Sequence, residues 1–233
     1  MFGWHGRLFS VVEKIFLWMA LTGMVEISAH QLTPVEQSML NQGLVNISDY
    51  DKSIKVSLMY SRQDNFTGVI LYSQLQHAYL HPKAAKALAK AQALLKKSHP
   101  RWSLVVFDAA RPMSVQQKMW DCVRNTPKNI YVSNPAHGGG LHNYGLAVDI
   151  SICNETGDTI HMGTPIDYMG RKAHITNELQ MLSAGKLTKQ AVRNRQLLRR
   201  VMRDAGFRPL PSEWWHFNLV SRAVAKKYYK VIK

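Results

Sequence analysis

The stretch Leu146-Ala-Val-Asp-Ile-Ser-Ile152 constrains the fold more than any other part of the chain. Its alternation reads as a β-strand with Leu146, Val148, Ile150 and Ile152 on one face and Ala147, Asp149 and Ser151 on the other. A wholly apolar face must be covered by other elements, and the sequence supplies them. Pro82 opens a run of strong helix formers to Lys97, in which Ala84, Leu88, Ala91 and Leu95 recur at helical spacing. Lys189–Ala205 is amphipathic, with Leu197, Leu198, Val201, Met202 and Ala205 on its inner stripe and Gly206 as its stop. Ser114–Val123 reads as a further helix after Pro112. Ser103–Asp108 reads as a buried strand, Ser53–Tyr60 as a short one and Trp214–Val220 as the last. Residues 33–50 read as a polar lead-in, and Thr126–Gly140, rich in Pro, Asn and Gly, as a loop. No regular βαβ alternation appears. The expected fold is therefore α+β, a single domain with a small antiparallel or mixed sheet and helices packed around it. A length of 233 residues suits one domain.

The N-terminus reads as an address. Arg7 and Lys14 precede the apolar run Ile15–Val25, and Glu26-Ile-Ser-Ala29 ends in a small residue. This is the layout of a cleaved signal peptide over residues 1–29, leaving 30–233 as the mature chain. The apolar core is about half the length of a spanning helix, which ranks a membrane anchor second. Export implies a periplasmic or cell-envelope destination. There Cys122 and Cys153 could pair or stay as buried free thiols; two cysteines are too few for a disulfide framework or a four-thiolate zinc site. The net charge is +15. From Lys186 to Lys233 the basic residues are opposed only by Asp204 and Glu213. The export signal, and the lack of a motif interleaving basic and aromatic residues, argue against nucleic acid. The expected partner of this charge is a weakly held anionic envelope polymer or lipid headgroup, the alternative being a solvated helix face.

Three stretches carry chemistry. In His142-Asn-Tyr-Gly-Leu-Ala-Val-Asp149, Gly145 can turn the chain from a loop into the strand bearing Asp149, and His216 stands in Glu213-Trp-Trp-His216-Phe. Two imidazoles, one carboxylate and an open position form an arrangement used for catalytic zinc. Glu213 would then be free to take a proton from water. Residues three apart on a regular strand face opposite ways, so Glu213 is expected in the turn at Pro211-Ser212 rather than in the ladder. The third stretch is Phe107-Asp108-Ala-Ala-Arg111-Pro112. Arg111 could stabilise an oxyanion, or Asp108 and Arg111 could pair and pin the loop.

At these residues the sequence resembles the zinc D-alanyl-D-alanine dipeptidases, of the type associated with vancomycin resistance. Tyr60-Ser-Arg-Gln-Asp-Asn-Phe-Thr-Gly68, Asp108-Ala-Ala-Arg111-Pro112, His142–Asp149, Met162-Gly163, Asp167-Tyr168-Met169, Asn194-Arg195 with Gly206-Phe207, and Glu213-Trp-Trp-His216 follow the family's order. The resemblance implies one zinc ion on His142, Asp149 and His216. It also implies Glu213 as general base and then acid, Arg111 as oxyanion stabiliser, and Tyr60 and Asp108 at the substrate site. The implied reaction is hydrolysis of D-Ala-D-Ala to two D-alanines by zinc-activated water. Two positions depart from the family. Its Asp-x-Tyr-Arg-Pro tyrosine is Ala110 here, which is expected to open space beside Arg111, and the serine two before the first histidine is Gly140. Both point towards a looser site, so the alternative within enzymes is a zinc D,D-carboxypeptidase or peptidoglycan endopeptidase acting on longer stem peptides. An alternative of another class is a non-catalytic, zinc-stabilised cell-wall binding protein, against which Glu213 argues.

Overall fold

The strand expected at Leu146–Ile152 forms over Ala147–Cys153 and lies at the centre of a five-stranded sheet. The computed structural model describes Met1 and residues 31–233, and the expected signal segment lies outside them. In chain order the elements are α1 (Pro34–Asn41), β1 (Val45–Asn46), β2 (Lys55–Val56), β3 (Tyr79–Leu80), α2 (Pro82–Ser98), β4 (Ser103–Asp108), α3 (Met113–Val123), β5 (Ala147–Cys153), α4 (Glu178–Ser183), α5 (Lys189–Asp204), β6 (Arg208–Leu210), β7 (Glu213–Asn218) and α6 (Arg222–Tyr228). The sheet order is β2-β4-β5-β7-β6; β2 runs parallel to β4 and every other pairing is antiparallel. A separate antiparallel pair joins β1 to β3. The architecture is α+β with a mixed sheet.

Every residue of β5 is buried, so both of its faces are covered. Val148, Ile150 and Ile152 enter the main core, which α2 and α5 close. In α2, Pro82 takes the first turn, where its missing N–H costs nothing, and Ala84, Leu88, Ala91 and Leu95 are fully buried as their spacing requires. Leu197, Leu198, Val201 and Met202 of α5, and Ala205 at its C-terminal cap, are buried as expected. Asn194 and Arg195 on the same helix are buried too, although their polarity predicts exposure.

Some boundaries differ from the sequence reading. The polar lead-in contains α1, started by a capping box between Thr33 and Glu36. Glu36 is fully buried, and its carboxylate accepts from the Gln76 and His77 amides at 3.1 Å, a tertiary tie that no local pattern announces. Of Ser53–Tyr60 only β2 pairs, because the chain then tightens into a 3-10 turn at Met59–Ser61 that turns Tyr60 inward. Cys122 is exposed, Cys153 is buried, and both are free thiols.

Candidate active site

The β5–β7 pairing sets Asp149 directly opposite His216. His142 reaches them from a 3-10 turn, Leu141–Tyr144, that ends at Gly145 with φ 65°. A side chain at 145 would meet the His81 amide nitrogen at 2.9 Å, so glycine serves both the turn and the close approach. His142 Nε2 lies 3.2 Å from His216 Nδ1 and 3.3 Å from Asp149 Oδ2, and His216 Nδ1 lies 3.0 Å from Asp149 Oδ1.

The outer nitrogen of each ring is committed elsewhere. His142 Nδ1–H donates to the Ala109 carbonyl at 2.7 Å, and His216 Nε2–H donates to Asn218 Oδ1 at 2.9 Å. These tautomers turn two imidazole lone pairs and a carboxylate towards one point, an arrangement that calls for a shared cation. Tetrahedral zinc with bonds of ~2.0–2.1 Å sets neighbouring ligand atoms ~3.3 Å apart; the two imidazole nitrogens stand near that spacing, and each has an Asp149 carboxylate oxygen within 3.3 Å. Burial opposes charge on Asp149, but the two imidazoles hold its carboxyl far below the usual range. Burial likewise opposes protonation of His142, and Asp149 outweighs it.

Glu213 Oε2 stands 3.9 Å from His216 Nδ1. Glu213 belongs to β7 rather than to the turn before it. The pairing of β6 with β7 jumps from Pro209↔Phe217 to Leu210↔Glu213. This irregularity breaks the two-residue period and lets residues 213 and 216 meet. Burial, helped by the charges of Asp149 and Asp167, pushes the Glu213 carboxyl up to about 7 against the pull of His216 and Arg111.

Arg111 is 8% exposed. Its Nε donates to Asp108 Oδ2 at 3.0 Å, its Nη2 bonds the same oxygen, and its Nη1 donates to Gln116 Oε1 at 2.8 Å. Nη2 is also 3.9 Å from Asp149 Oδ2, so the guanidinium borders the ligand cluster. Asp108 is not on the cavity wall. It is fully buried behind Arg111 and accepts from Tyr72 Oη at 2.5 Å, so its place is to fix the guanidinium rather than to meet substrate. Tyr60 does line the cavity, and its hydroxyl donates to Asp167 Oδ2 at 2.7 Å.

Asp167 is a residue that the sequence reading quoted but gave no role. Its backbone takes φ 60°, uncommon for a residue other than glycine, and burial with the Asp149 charge lifts its carboxyl to about 7 against the Tyr60 hydrogen bond. The loop bearing it is tied to α5. Asn194 Nδ2 donates to the His161 carbonyl at 2.8 Å, Arg195 Nε to that of Met162 at 2.6 Å and Arg195 Nη2 to that of Lys172 at 3.0 Å.

These groups surround a cavity of about 430 Å³, walled in part by Tyr60, Arg111, Asp167, Glu213 and Trp215. Ala110 is 1% exposed and does not line it, so the small residue there opens no space beside the substrate.

The family profile described as D-ala-D-ala dipeptidase matches residues 40–233. The chain belongs to the D-Ala-D-Ala dipeptidase family. The dipeptidase family is one of metallopeptidases, in keeping with the His-Asp-His cluster. The chain is 32% identical over 180 residues to a D-alanyl-D-alanine dipeptidase of Escherichia coli strain K12, covering 77% of this chain and 86% of that one. It is 31% identical over 173 residues to one of Synechocystis, covering 61% and 70%. With one of Enterococcus faecalis it shares 23% identity over 209 residues, 82% and 98% of the two chains.

Proposed function

We propose that this chain is a zinc D-Ala-D-Ala dipeptidase of the bacterial envelope, with His142, Asp149 and His216 as the metal ligands. The observation that carries the reading is the convergence of those three donors beside a base lifted to about 7 and a clamped guanidinium. Zinc held there supplies positive charge for the scissile carbonyl and makes water acidic enough to lose a proton near neutral pH.

The chain's own groups do the rest. Glu213 takes the proton from the attacking water and passes it to the amine nitrogen as the C–N bond breaks. Arg111, held by Asp108 and Gln116, faces the negative charge that develops on the carbonyl oxygen. Asp167 and Tyr60 offer a carboxylate and a phenol to the dipeptide's ammonium. The phenol stays neutral, because burial and the Asp167 charge raise its pKa well above the ordinary value. Water adds across one amide, giving one new carboxylate and one new amine, both as D-alanine.

A second reading, action on longer stem peptides, drew on Ala110 and Gly140. Neither enlarges the cavity: Ala110 is behind the wall, and the space beside Gly140 is filled by Ser133. This supports the dipeptide as substrate. Export by a 1–29 signal would put the enzyme in the periplasm or cell envelope. Arg222, Lys226 and Lys227 of α6 and Arg193, Arg200 and Arg203 of α5 are exposed and supply basic groups for weak, salt-sensitive attraction to anionic envelope material. Arg195 and Arg199 are withdrawn from it, because both pair with Glu178.

The test is amine release from D-Ala-D-Ala, N-acetyl-D-Ala-D-Ala and a pentapeptide stem by the zinc-loaded protein, with Glu213→Ala alongside. Release from the free dipeptide alone, lost in the variant, supports the dipeptidase. Release from the longer peptides moves the assignment to a carboxypeptidase. Zinc and peptide binding without release would leave a binding protein.

A further inference from the structure

One hydroxyl on the cavity wall is used by none of these roles. Ser133 and Gly140 both line the cavity. A Cβ placed on Gly140 would lie 2.8 Å from Ser133 Oγ and 3.3 Å from Ser133 Cβ. The two positions therefore share one side-chain volume, and residue 133 fills it. Gly140 has φ −104° and ψ −176°, extended backbone open to any residue. Glycine there answers to space and not to conformation.

The backbone that carries the hydroxyl is also tied to the guanidinium. Gln116 accepts from Arg111 Nη1 at 2.8 Å and donates from Nε2 to the Ser133 carbonyl at 2.8 Å. Asn143 does the same for the other partner: its Oδ1 accepts from the Gly140 amide at 2.9 Å, and its Nδ2 donates to the Arg111 carbonyl at 2.9 Å. Gln116 and Asn143 are 1% and 0% exposed, so both ties are rigid. Ser133 Oγ itself has no hydrogen-bond partner among the described residues, while its carbonyl is satisfied. An unpaired hydroxyl on a wall braced at two points against Arg111 is preorganised for a ligand.

We infer that Ser133 contacts the substrate, its hydroxyl forming a hydrogen bond with a polar group of the bound dipeptide, and that Gly140 is the gap that admits it. The inference rests on the dipeptidase reading. Free enzyme satisfies the hydroxyl with water, and the peptide replaces that water.

The test moves the hydroxyl. Ser133→Ala raises KM for D-Ala-D-Ala roughly ten-fold, the weight of about one hydrogen bond, and leaves kcat within about two-fold. Gly140→Ala displaces the hydroxyl and raises KM to a similar degree, and the two changes together cost no more than either alone. With Ser133→Ala in place, Gly140→Ser returns a hydroxyl to the shared volume and recovers KM, whereas Gly140→Ala fills it without recovery. An unchanged KM in Ser133→Ala, or equal recovery by alanine and serine at 140, overturns the inference. A wild type that cleaves no dipeptide refutes the dipeptidase reading instead. The same variants are then compared by calorimetric affinity for intact D-Ala-D-Ala, and the same pattern across them is required.

Discussion

Arg195→Leu tests how the loop that carries Asp167 is held. The Arg195 side chain is 0% exposed. It donates to the Met162 carbonyl at 2.6 Å and the Lys172 carbonyl at 3.0 Å, reaches Glu178 Oε1 at 3.5 Å, and lies 5.6 Å from the centre of the Trp214 ring. Leucine leaves two carbonyls without their donor, at about 1–3 kcal/mol each. The lost contact to Glu178 adds little, because Arg199 keeps two bonds to that carboxylate. The expected loss is roughly 3–5 kcal/mol, against a total of about 5–15 kcal/mol for an ordinary domain. Urea unfolding followed by tryptophan fluorescence, at fixed zinc concentration, reads it directly. Met162 and Lys172 lie on either side of Asp167, so kcat/KM for D-Ala-D-Ala falls as well, even where the variant is folded. Arg195→Lys recovers only part, since one ammonium lacks the reach and fork of the guanidinium. A loss below about 1 kcal/mol in Arg195→Leu would refute the reasoning, because one unmet carbonyl alone costs that much.

Four other outcomes follow from the same geometry. Glu213→Gln keeps the shape but removes the base, and kcat falls by about 10²–10⁴ with zinc content unchanged in elemental analysis; a fall under ten-fold would contradict the role. Without metal the Glu213 carboxyl is held up to about 7, and a nearby cation draws it down. Activity needs the carboxylate, so kcat/KM is lost as pH falls through an acid limb between pH 4.5 and 7, and the residual activity of Glu213→Gln shows no such limb. Gln116→Ala releases both Arg111 and the Ser133 segment, and lowers kcat/KM roughly ten-fold in the same assay. Glu36 is held at about 2 by amide and His77 hydrogen bonds that overcome burial. Its folded value is below the ordinary 4.5, so the stability it contributes is present above that pH and lost as pH falls towards 2. Acid unfolding of Glu36→Gln should lack that component.

The parts of the fold that sequence makes plain are those with a period. The alternation over β5 and the helical spacing in α2 and α5 each mark a face that must be buried, and burial follows. The convergence of His142, Asp149 and His216 was legible for a related reason. Asp149 is the one charge on a strand that is otherwise uncharged, and Gly145 is a turn that delivers His142 beside it. What depends on an irregularity was not legible, even where the residue was named for its chemistry, as Glu213 was. Glu213 meets His216 through a slipped β6–β7 register, which no alternation predicts. Asp108 looks like a site residue because it neighbours Arg111, but the strand end buries it behind that guanidinium. Asp167 and Ser133 sit in aperiodic loops whose shape is set by distant side chains, Arg195 in one case and Gln116 in the other. The glycine at 140 reads as a loss until the residue that fills its space is seen.

The central claim is that His142, Asp149 and His216 hold one zinc ion on which hydrolysis of D-Ala-D-Ala depends. The most direct measurement is D-alanine release from the dipeptide by protein stripped with a chelator and titrated back with zinc. The account predicts no release from stripped protein, recovery that saturates at one zinc per chain, and no recovery in His142→Ala. Release that persists without metal, or that returns in His142→Ala at the same stoichiometry, would contradict it.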